Sequence, residues 1–406
     1  MKKTFLTILT FGCICVSALA QAPLVWNEGN TNSPSAASWN TTFQLLKEEI
    51  DLRRSKPGNL CLSPLSLQVA LAMVSEGAAD RTLTEIDDLL PPTMSQTYFL
   101  LLNKSQTLTA ANSIWMNNDF AKNVKKEFIQ RNTRKYDAEV HNIKFNSVGV
   151  RSINDWCKKK TKGLISNIID RLNREDKMVI ANALHFKAEW EIPFEKSDTR
   201  KQPFSLLDGR NVNVQMMQKT DTWEYAEDMY CQAISLPYEV ATDAATSEPL
   251  ENTRYTMYIL LPQEGLSLKD FINMQLNTEY WQSLDFESVS NIHLQLPRWK
   301  SDFSASLVEP LRRMGMRQAF TRDAQFPGIT KSNSLLISNI LQKTYINVNE
   351  IGTEAAAATA AIMTMKCAAP TMDKPIEMNV NRPFVYILAE QTTDTPVFVG
   401  VVVDPR

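Results

Sequence analysis

The side chains most often used for catalysis are few and scattered in this 406-residue chain. Its histidines, His141, His185 and His293, are far apart, and no G-x-S-x-G, Walker, dinucleotide-binding or H-E-x-x-H motif is present. A Ser-His-Asp site built from distant residues stays open, because such triads are defined by geometry. The cysteines form no C-x-x-C pair, which argues against a zinc site or a disulfide framework. The sequence therefore predicts no cofactor and no metal centre, and it offers no support for an enzyme.

Residues 349–370 stand out because they carry a run of very small side chains. An alanine-rich helix is one interpretation of Ala355–Ala361, since alanine has the highest helix propensity. The β-rich run before the segment and the prolines after it, Pro370 and Pro375, favour an extended chain instead. A strand without bulk on either face can enter between two existing strands without a large cavity having to open.

Four motifs in this chain, taken in order, resemble the serpin family, and the resemblance extends over about residues 37–406. The motifs are Asn59–Ser66, Asn182–Trp190, the hinge Glu350–Thr359, and the carboxyl-terminal pair Asn381–Phe384 with Val397–Gly400. Each alone would be a weak signal, whereas four in the right order over this length are specific. The resemblance implies an α+β serpin fold with three β-sheets, eight or nine helices and an exposed reactive-centre loop.

The resemblance also assigns residues to the region where the central sheet opens. The hinge comprises Glu350, Gly352, Thr353, Glu354, Ala355, Ala356, Ala357, Ala358 and Thr359. The shutter and breach, beneath and at the top of the opening, comprise Ser63, Pro64, Ser66, Asn182, Trp190, Arg298 and Gln342. Alignment with the family predicts an ion pair between Glu350 and Arg298. Gln342 stands where many members have a histidine, so the hydrogen-bond network of the shutter must differ.

Inhibitory serpins are suicide substrates of serine proteases, and the resemblance implies this activity here. The protease serine forms an ester with the loop, and the cut loop then enters the central sheet as a new strand. Such members place the cut seventeen residues along from the hinge glutamate, which gives Lys366–Cys367 as the reactive bond. Lysine suits a trypsin-like protease, whose primary pocket carries an acid. Met363, Thr364 and Met365 are secondary cleavage candidates for elastase-like or cysteine proteases, so a broad specificity stays open.

The expected partner is a target protease, bound 1:1 and covalently by a monomeric inhibitor. The net charge of −2 argues against a nucleic-acid partner. Pro91–Gln106 contains one basic residue, Lys104, so heparin-type activation is not supported.

The alternative is a non-inhibitory serpin that acts as a chaperone or binding protein. The hinge of such a protein would carry bulky, charged or proline residues, and none occurs in Ala355–Ala361. Cys367 would be an exposed thiol that can oxidise.

The elements that must position these residues are helical in the first third of the chain and β-rich afterwards, as in α+β folds. Apolar periodicity predicts helices at Trp39–Arg54, Pro64–Glu76, Val124–Tyr136 and Val150–Leu172. Strands are predicted at Leu108–Met116, Met178–Phe186, Tyr255–Leu261, Ile292–Leu296, Leu335–Val348, Met378–Leu388 and Val397–Val403. The apolar or helical surroundings of Cys61, Cys157 and Cys231 predict buried thiols.

The amino terminus has the pattern of an export signal, with Lys2-Lys3, the apolar run Phe5–Val16 and the cleavage pattern Ala18-Leu19-Ala20. This predicts a signal peptide at residues 1–20, a flexible mature terminus at 21–36 and the serpin domain at 37–406. The apolar run is shorter than the ~20 residues of a membrane-spanning helix. We expect a secreted or periplasmic protein, with lipid anchoring at Gly12-Cys13 as the less favoured alternative.

Overall fold

A computed structural model describes residues 34–53, 58–90, 104–173, 175–250, 253–331, 335–353 and 374–406. The predicted signal peptide lies outside these residues, as do the hinge and reactive-bond residues from Glu354 to Cys367. The α-helices of the described ranges number nine and are α1 (Pro34–Leu52), α2 (Pro64–Ser75), α3 (Asp80–Asp87), α4 (Asn118–Ala121), α5 (Lys126–Tyr136), α6 (Ser147–Lys160), α7 (Leu268–Asp270), α8 (Thr278–Ser283) and α9 (Val308–Arg313). None of the helices described here is long and apolar enough to cross a membrane.

Thirteen of the sixteen described strands follow α6 in the chain. The sixteen are β1 (Leu60–Leu62), β2 (Leu108–Asn117), β3 (Glu139–Ile143), β4 (Met178–Phe186), β5 (Ala188–Glu189), β6 (Arg200–Ser205), β7 (Asn211–Glu227), β8 (Cys231–Pro237), β9 (Tyr255–Pro262), β10 (Glu287–Pro297), β11 (Trp299–Ser306), β12 (Leu341–Val348), β13 (Gly352–Thr353), β14 (Ile376–Asn379), β15 (Phe384–Glu390) and β16 (Thr395–Val402).

Hydrogen bonding arranges the described strands in three sheets. The largest has nine strands in the order β1-β16-β15-β9-β8-β7-β10-β14, with β6 paired to β7. The other two have the orders β11-β12-β13-β5 and β3-β2-β4. Within the described ranges, three sheets and nine α-helices confirm the α+β serpin fold that the sequence implies.

The two smaller sheets meet where β4 runs into β5 with only Lys187 between them. From Lys187 back towards Met178, β4 lies side by side with β12. No hydrogen-bonded ladder joins these two described strands. We call their boundary the seam. At the end of the seam nearest β5, which we call its upper end, β13 lies between β12 and β5 and runs antiparallel to both. The seam is therefore the place in the described fold where a further strand can be accommodated.

The core is centred on β15 and β16, whose residues are all buried. Helices α1 and α2 pack against β16. α2 begins at Pro64 and is capped by Ser63, a favourable start because proline needs no amide partner there and the serine oxygen accepts a free N–H. A second apolar cluster lies between α6 and the outer face of β2 and β4. The thiols of Cys61, Cys157 and Cys231 are buried and free, as predicted.

Three predicted boundaries are wrong for identifiable reasons. The helix predicted at Val150–Leu172 ends at Lys160, because the chain turns through positive φ at Lys162 and Gly163. The strand predicted at Leu335–Val348 begins only at Leu341. The run Met378–Leu388 is divided between β14 and β15, since Pro383 cannot donate a ladder hydrogen bond.

Candidate functional site

The upper end of the seam is closed by a turn at residues 349–352 that is bonded to the chain following β5. The backbone N–H of Trp190 donates to the carbonyl of Ile351 at 2.8 Å, and that of Phe194 donates to the carbonyl of Glu350 at 2.9 Å. The indole Nε1 of Trp190 donates to the carbonyl of Asn349 at 2.9 Å. Trp190 thus holds this turn through both its backbone and its side chain, as expected of a breach residue.

Glu350 and Arg298 form the ion pair that the sequence predicts. Arg298 donates Nε to Glu350 Oε1 at 2.7 Å and contacts the same oxygen through Nη2. Thr199 Oγ1 donates to that oxygen as well, at 2.5 Å. The Glu350 side chain is 2 % exposed. Burial alone would raise the pKa of Glu350, but the hydrogen bonds from Arg298 and Thr199 outweigh it and lower the pKa, so the carboxylate stays charged.

Gly352 is required by the close approach of β13 to β5. A Cβ on Gly352 would lie 2.1 Å from the carbonyl oxygen of Ala188 and 2.7 Å from Cα of Glu189. Contacts this short with backbone atoms cannot be relieved by a side-chain rotation. The residue at this position must therefore be glycine for the hinge to enter the sheet.

Thr353 is already seated between β12 and β5. It pairs with Val348 on one side and with Ala188 on the other. Its side chain points into the core, where it is 1 % exposed and its hydroxyl lies 2.5 Å from the hydroxyl of Tyr238. Tyr238 in turn stacks on Trp190 with ring centroids 4.3 Å apart. Thr353 is thus held by Tyr238, which is itself stacked on Trp190.

The shutter joins β12 to the start of α2. Gln342 Oε1 accepts from the backbone N–H of Ser63 at 3.0 Å, and Gln342 Nε2 donates to the carbonyl of Ser63 at 2.8 Å. Ser63 Oγ accepts from the N–H of Ser66 and donates to the carbonyl of Val397 at 2.8 Å. The glutamine therefore binds both backbone groups of Ser63, an arrangement that uses the donor and the acceptor of its one side-chain amide.

Asn182 lies on β4 across the seam from Gln342. Its Nδ2 donates to Oδ1 of Asn112 at 2.6 Å, and Asn112 donates to the carbonyl of Tyr136 at 2.7 Å. β4 is thereby tied to β2 and to the end of α5. Buried Cys61 lies beneath the same region, where its carbonyl accepts from Thr344 at 2.5 Å and burial raises the pKa of its thiol to about 11. This thiol is therefore a packing group.

The structure brings the predicted site residues into two clusters along the seam. Trp190, Arg298, Glu350, Gly352 and Thr353 meet at its upper end, and Ser63, Pro64, Ser66 and Gln342 meet at the shutter with Asn182 facing them. Sequence reasoning did not single out Thr199 and Tyr238. Their partners Glu350 and Thr353 are 151 and 115 residues away in the chain, so no local motif marks either residue.

Comparison with known proteins gives consistent results. The Serpin (serine protease inhibitor) family model matches residues 36–405. An uncharacterized serpin-like protein of Thermococcus kodakarensis is 31% identical over 94% of this chain and 88% of its own length. Leukocyte elastase inhibitor A of Mus musculus is 30% identical over 91% of this chain and 99% of its own. The native-state crystal structure of the thermophilic serpin tengpin, 29% identical, covers 91% of this chain and 94% of that one with a TM-score of 0.75.

Proposed function

This chain belongs to the serpin family, and we propose that it is an inhibitory member that traps serine proteases as a suicide substrate. Serpins are generally protease inhibitors rather than enzymes. The observation that carries the proposal is the position of Gly352 and Thr353, which already form strand pairs with β12 and β5 at the upper end of an unladdered seam.

The register of these pairs predicts where the rest of the hinge goes. If β13 continues downward in the same register, Ala355 lies between Phe186 and Ile346, and Ala357 lies between Leu184 and Thr344. Because side chains alternate faces along a strand, these residues share the core-facing side of Thr353. Large neighbours on both flanks leave room only for small side chains, which the alanine run supplies.

The same register places Thr359 at the shutter. It would lie directly between Asn182 on β4 and Gln342 on β12. A threonine hydroxyl can both donate and accept there. Thr359, the one polar residue within Ala355–Ala361, would therefore lie between the polar side chains of Asn182 and Gln342. This match supports insertion of the hinge along the whole seam.

Strand lengths agree with this mechanism. β4 and β5 together cover residues 178–189, or about 40 Å at ~3.3 Å per residue. The segment Thr353–Lys366 would extend to about 46 Å on the same basis. A loop cut after Lys366 is thus long enough to fill the seam and to carry an ester-linked protease from one end of the sheet to the other.

Trapping follows from the energy of insertion. Each new ladder hydrogen bond contributes on the order of 1 kcal/mol, and an inserted strand forms a ladder on both edges. A displacement of ~1 Å at a catalytic serine can cost ~100-fold in rate. Deacylation of the protease would therefore stall while the inhibitor is consumed.

We assign the reactive bond to Lys366–Cys367 and the principal target to the trypsin-like proteases. The count from Glu350 supports this position, and the acidic primary pocket of such proteases binds lysine. Secondary cleavage at Met363, Thr364 or Met365 would extend inhibition to elastase-like and cysteine proteases.

Incubation with trypsin followed by a denaturing gel and mass spectrometry tests the proposal. We expect a stable band at the summed mass, lost in Lys366→Ala and retained in the control Lys374→Ala, which removes a nearby exposed lysine. A band that persists in Lys366→Ala would move the reactive bond to Met365 or Thr364. Clean cleavage without a complex, across a panel of serine and cysteine proteases, would overturn inhibition in favour of a binding or chaperone function.

We further propose that the chain is exported, on the basis of its amino-terminal sequence. Sequencing the amino terminus of the protein isolated from its own cell tests this. A start at Gln21 would support a secreted or periplasmic protein, whereas a lipid-modified Cys13 would establish anchoring, and an intact Met1 would refute export.

A further inference from the structure

A cleft of about 290 Å³ lies where the end of α1, the start of α7 and the end of β16 come together. Apolar side chains of Ile50, Leu207, Leu268 and Val403 form much of its wall, and two cations, Arg53 and Lys269, also line it. The volume is close to the ~300 Å³ at which small-molecule pockets begin. None of these residues belongs to the hinge, the breach or the shutter.

Most of the apolar wall of the cleft is buried, with Leu268 6% and Val403 7% exposed, and Leu207 is the part of the wall that solvent reaches. Leu207 is 49% exposed, one of five large apolar side chains of the described chain that remain so accessible. Water gains few hydrogen bonds in such a space, because a bound water needs two to four polar partners. An apolar group of matching size would therefore displace water from the cleft favourably.

The two cations retain hydrogen-bond donors that a ligand could use. Arg53 donates Nε to Glu49 at 2.9 Å and lies over the ring of Phe303 at 4.7 Å, but within the described ranges neither Nη group has a hydrogen-bond partner. Lys269 Nζ forms an ion pair with the Asp51 carboxylate at 3.8 Å, a separation longer than a hydrogen bond. Guanidinium and ammonium donors of this kind bind carboxylates strongly.

From these features we propose that the cleft binds a free medium-chain carboxylate. The hydrocarbon chain lies against Leu207, Leu268 and Val403, and the carboxylate accepts from Arg53 and Lys269. The volume lies at the lower end of the range for small-molecule pockets, which favours a single short hydrocarbon chain as the apolar part. The binding does not depend on the proposed inhibition of proteases, so each can fail without the other.

Calorimetric titration of the full chain with sodium hexanoate, octanoate and decanoate, below their micelle concentrations, tests the apolar part. We expect affinity to rise about fourfold with each added methylene, the equivalent of burying one methylene group. Decanol has the same chain without the charge, and we expect it to bind about tenfold more weakly than decanoate.

Two substitutions locate the site. Lys269→Gln should lower the affinity for decanoate several-fold and leave that for decanol unchanged, and Leu207→Trp should abolish binding of both by filling the cleft. Both residues are partly exposed, so the fold should be retained, as thermal unfolding would show. Arg53 is not substituted because its loss would leave buried Glu49 unpaired. Lys158→Gln, on the exposed face of α6, is the matched control and should change nothing.

The proposal is overturned by an absence of saturable binding, or by decanoate affinity that both cleft variants leave intact. Equal affinities for decanol and decanoate would equally refute a carboxylate site. A loss of decanoate binding in Lys269→Gln and Leu207→Trp, with Lys158→Gln unaffected, would establish it.

Discussion

Glu350 shows how a buried charge can fix the geometry of a hinge. Its Oε1 accepts from Arg298 and Thr199 while its backbone carbonyl accepts from Phe194, so three separate parts of the chain meet at one residue. Arg298 is 40% exposed and keeps part of its hydration, which limits the desolvation cost of the pair. The residue therefore anchors the turn at 349–352 from which the hinge must move.

Substitution of Gly352 tests how strongly the hinge depends on close backbone approach. Gly352→Ala should force β13 away from β5 and lower the free energy of unfolding by about 1–3 kcal/mol, because the added Cβ overlaps the carbonyl of Ala188. Urea unfolding monitored by fluorescence measures the change. Gly58→Ala is the matched control, since nothing lies within 4 Å of its Cβ, and it should differ from the parent by less than ~0.5 kcal/mol. Equal effects at both positions would contradict this account.

Asp394, in the turn between β15 and β16, gives a pH dependence of stability. Burial raises its pKa to about 6, and the neighbouring Trp39 and Ser35 offset only part of that effect. The folded protein therefore binds a proton between pH 3.8 and about 6 that the unfolded chain releases. The resulting contribution to stability is present below pH 3.8 and is lost as the pH rises through about 6.

Asp394→Asn should remove this dependence. We expect the variant to gain about 2–3 kcal/mol in unfolding free energy at pH 7 and little at pH 4, as compared by urea unfolding at the two pH values. Asparagine has nearly the same shape and tolerates the positive φ of 48° at this position. A gain of the same size at both pH values would show that the burial of the charge is not its cause.

At the scale of elements, α6 packs over the strands that border the seam. Its Ile153 and Trp156 pack on Ala181 and Ala183 of β4, and Tyr345 of β12 packs against the same cluster. The cluster thus covers the outer faces of both strands that border the seam. A strand entering between them must displace this cover, so the attachment of α6 sets part of the barrier to insertion.

The attachment of α6 can be weakened at one ion pair. Lys160 Nζ lies 2.5 Å from Glu139 of β3, which also accepts from Trp156 at 3.0 Å. Lys160→Gln should speed formation of the covalent protease complex about two- to fivefold, the equivalent of 0.5–1 kcal/mol in the barrier. Stopped-flow mixing with trypsin measures the rate. Lys158→Gln removes a charge from the same helix at a position with no ion pair among the described residues, and an equal acceleration there would refute the explanation.

The sequence predicts some strands of this fold and misses others, and the difference lies in their apolar pattern. Strands with one apolar face and regular spacing, such as β2, β4 and β9, could be recognised. β7 and β11 could not, because β7 carries polar Gln215, Thr220 and Glu224 at its exposed positions with uneven apolar spacing between them, and β11 places Ser301 at a buried position. Their strand conformation depends on pairing with β10 and β12, which lie outside the window of about ten residues that periodicity covers.

Some features of the candidate site could likewise be predicted from the sequence, and others could not. Glu350, Arg298, Trp190 and Gln342 could be predicted because the family resemblance carries their positions. The pair of hydrogen bonds from Gln342 to the backbone N–H and carbonyl of Ser63 could not, since it depends on the meeting of β12 with the start of α2 across 279 residues. The family resemblance identifies which positions belong to the site. Where the residue differs from the one usual in the family, as Gln342 does, its hydrogen bonds can be read only from the packed structure.

At the scale of the whole molecule, the sheets differ in how completely their strands are paired. The nine-stranded sheet holds the fully buried strands β15 and β16. The central region is left with a seam between β4 and β12 that only two hinge residues bridge at one end. Within the described fold, β4 and β12 therefore lack a strand paired with both of them along most of the seam. Adding that strand should yield a more stable molecule.

Cleavage of the reactive loop should release that stability. Insertion of the segment Thr353–Lys366 adds hydrogen bonds on both edges, on the order of 10 kcal/mol in total, which should raise the melting temperature by roughly 10–15 °C in a chain of this length. Differential scanning calorimetry before and after cutting by a catalytic amount of a non-target protease measures the shift. Ala357→Arg would place a charge in the core beside Leu184 and Thr344, so its cleaved form should show little gain. Glu354→Arg is the control, because in the same register its side chain would face the opposite side of the sheet beside exposed Lys187 and half-buried Asn347, so this variant should retain most of the shift. If cleaved Ala357→Arg gained as much as the parent, the register extended from Thr353 would be wrong, and if the parent gained nothing, the seam would not be the destination of the loop.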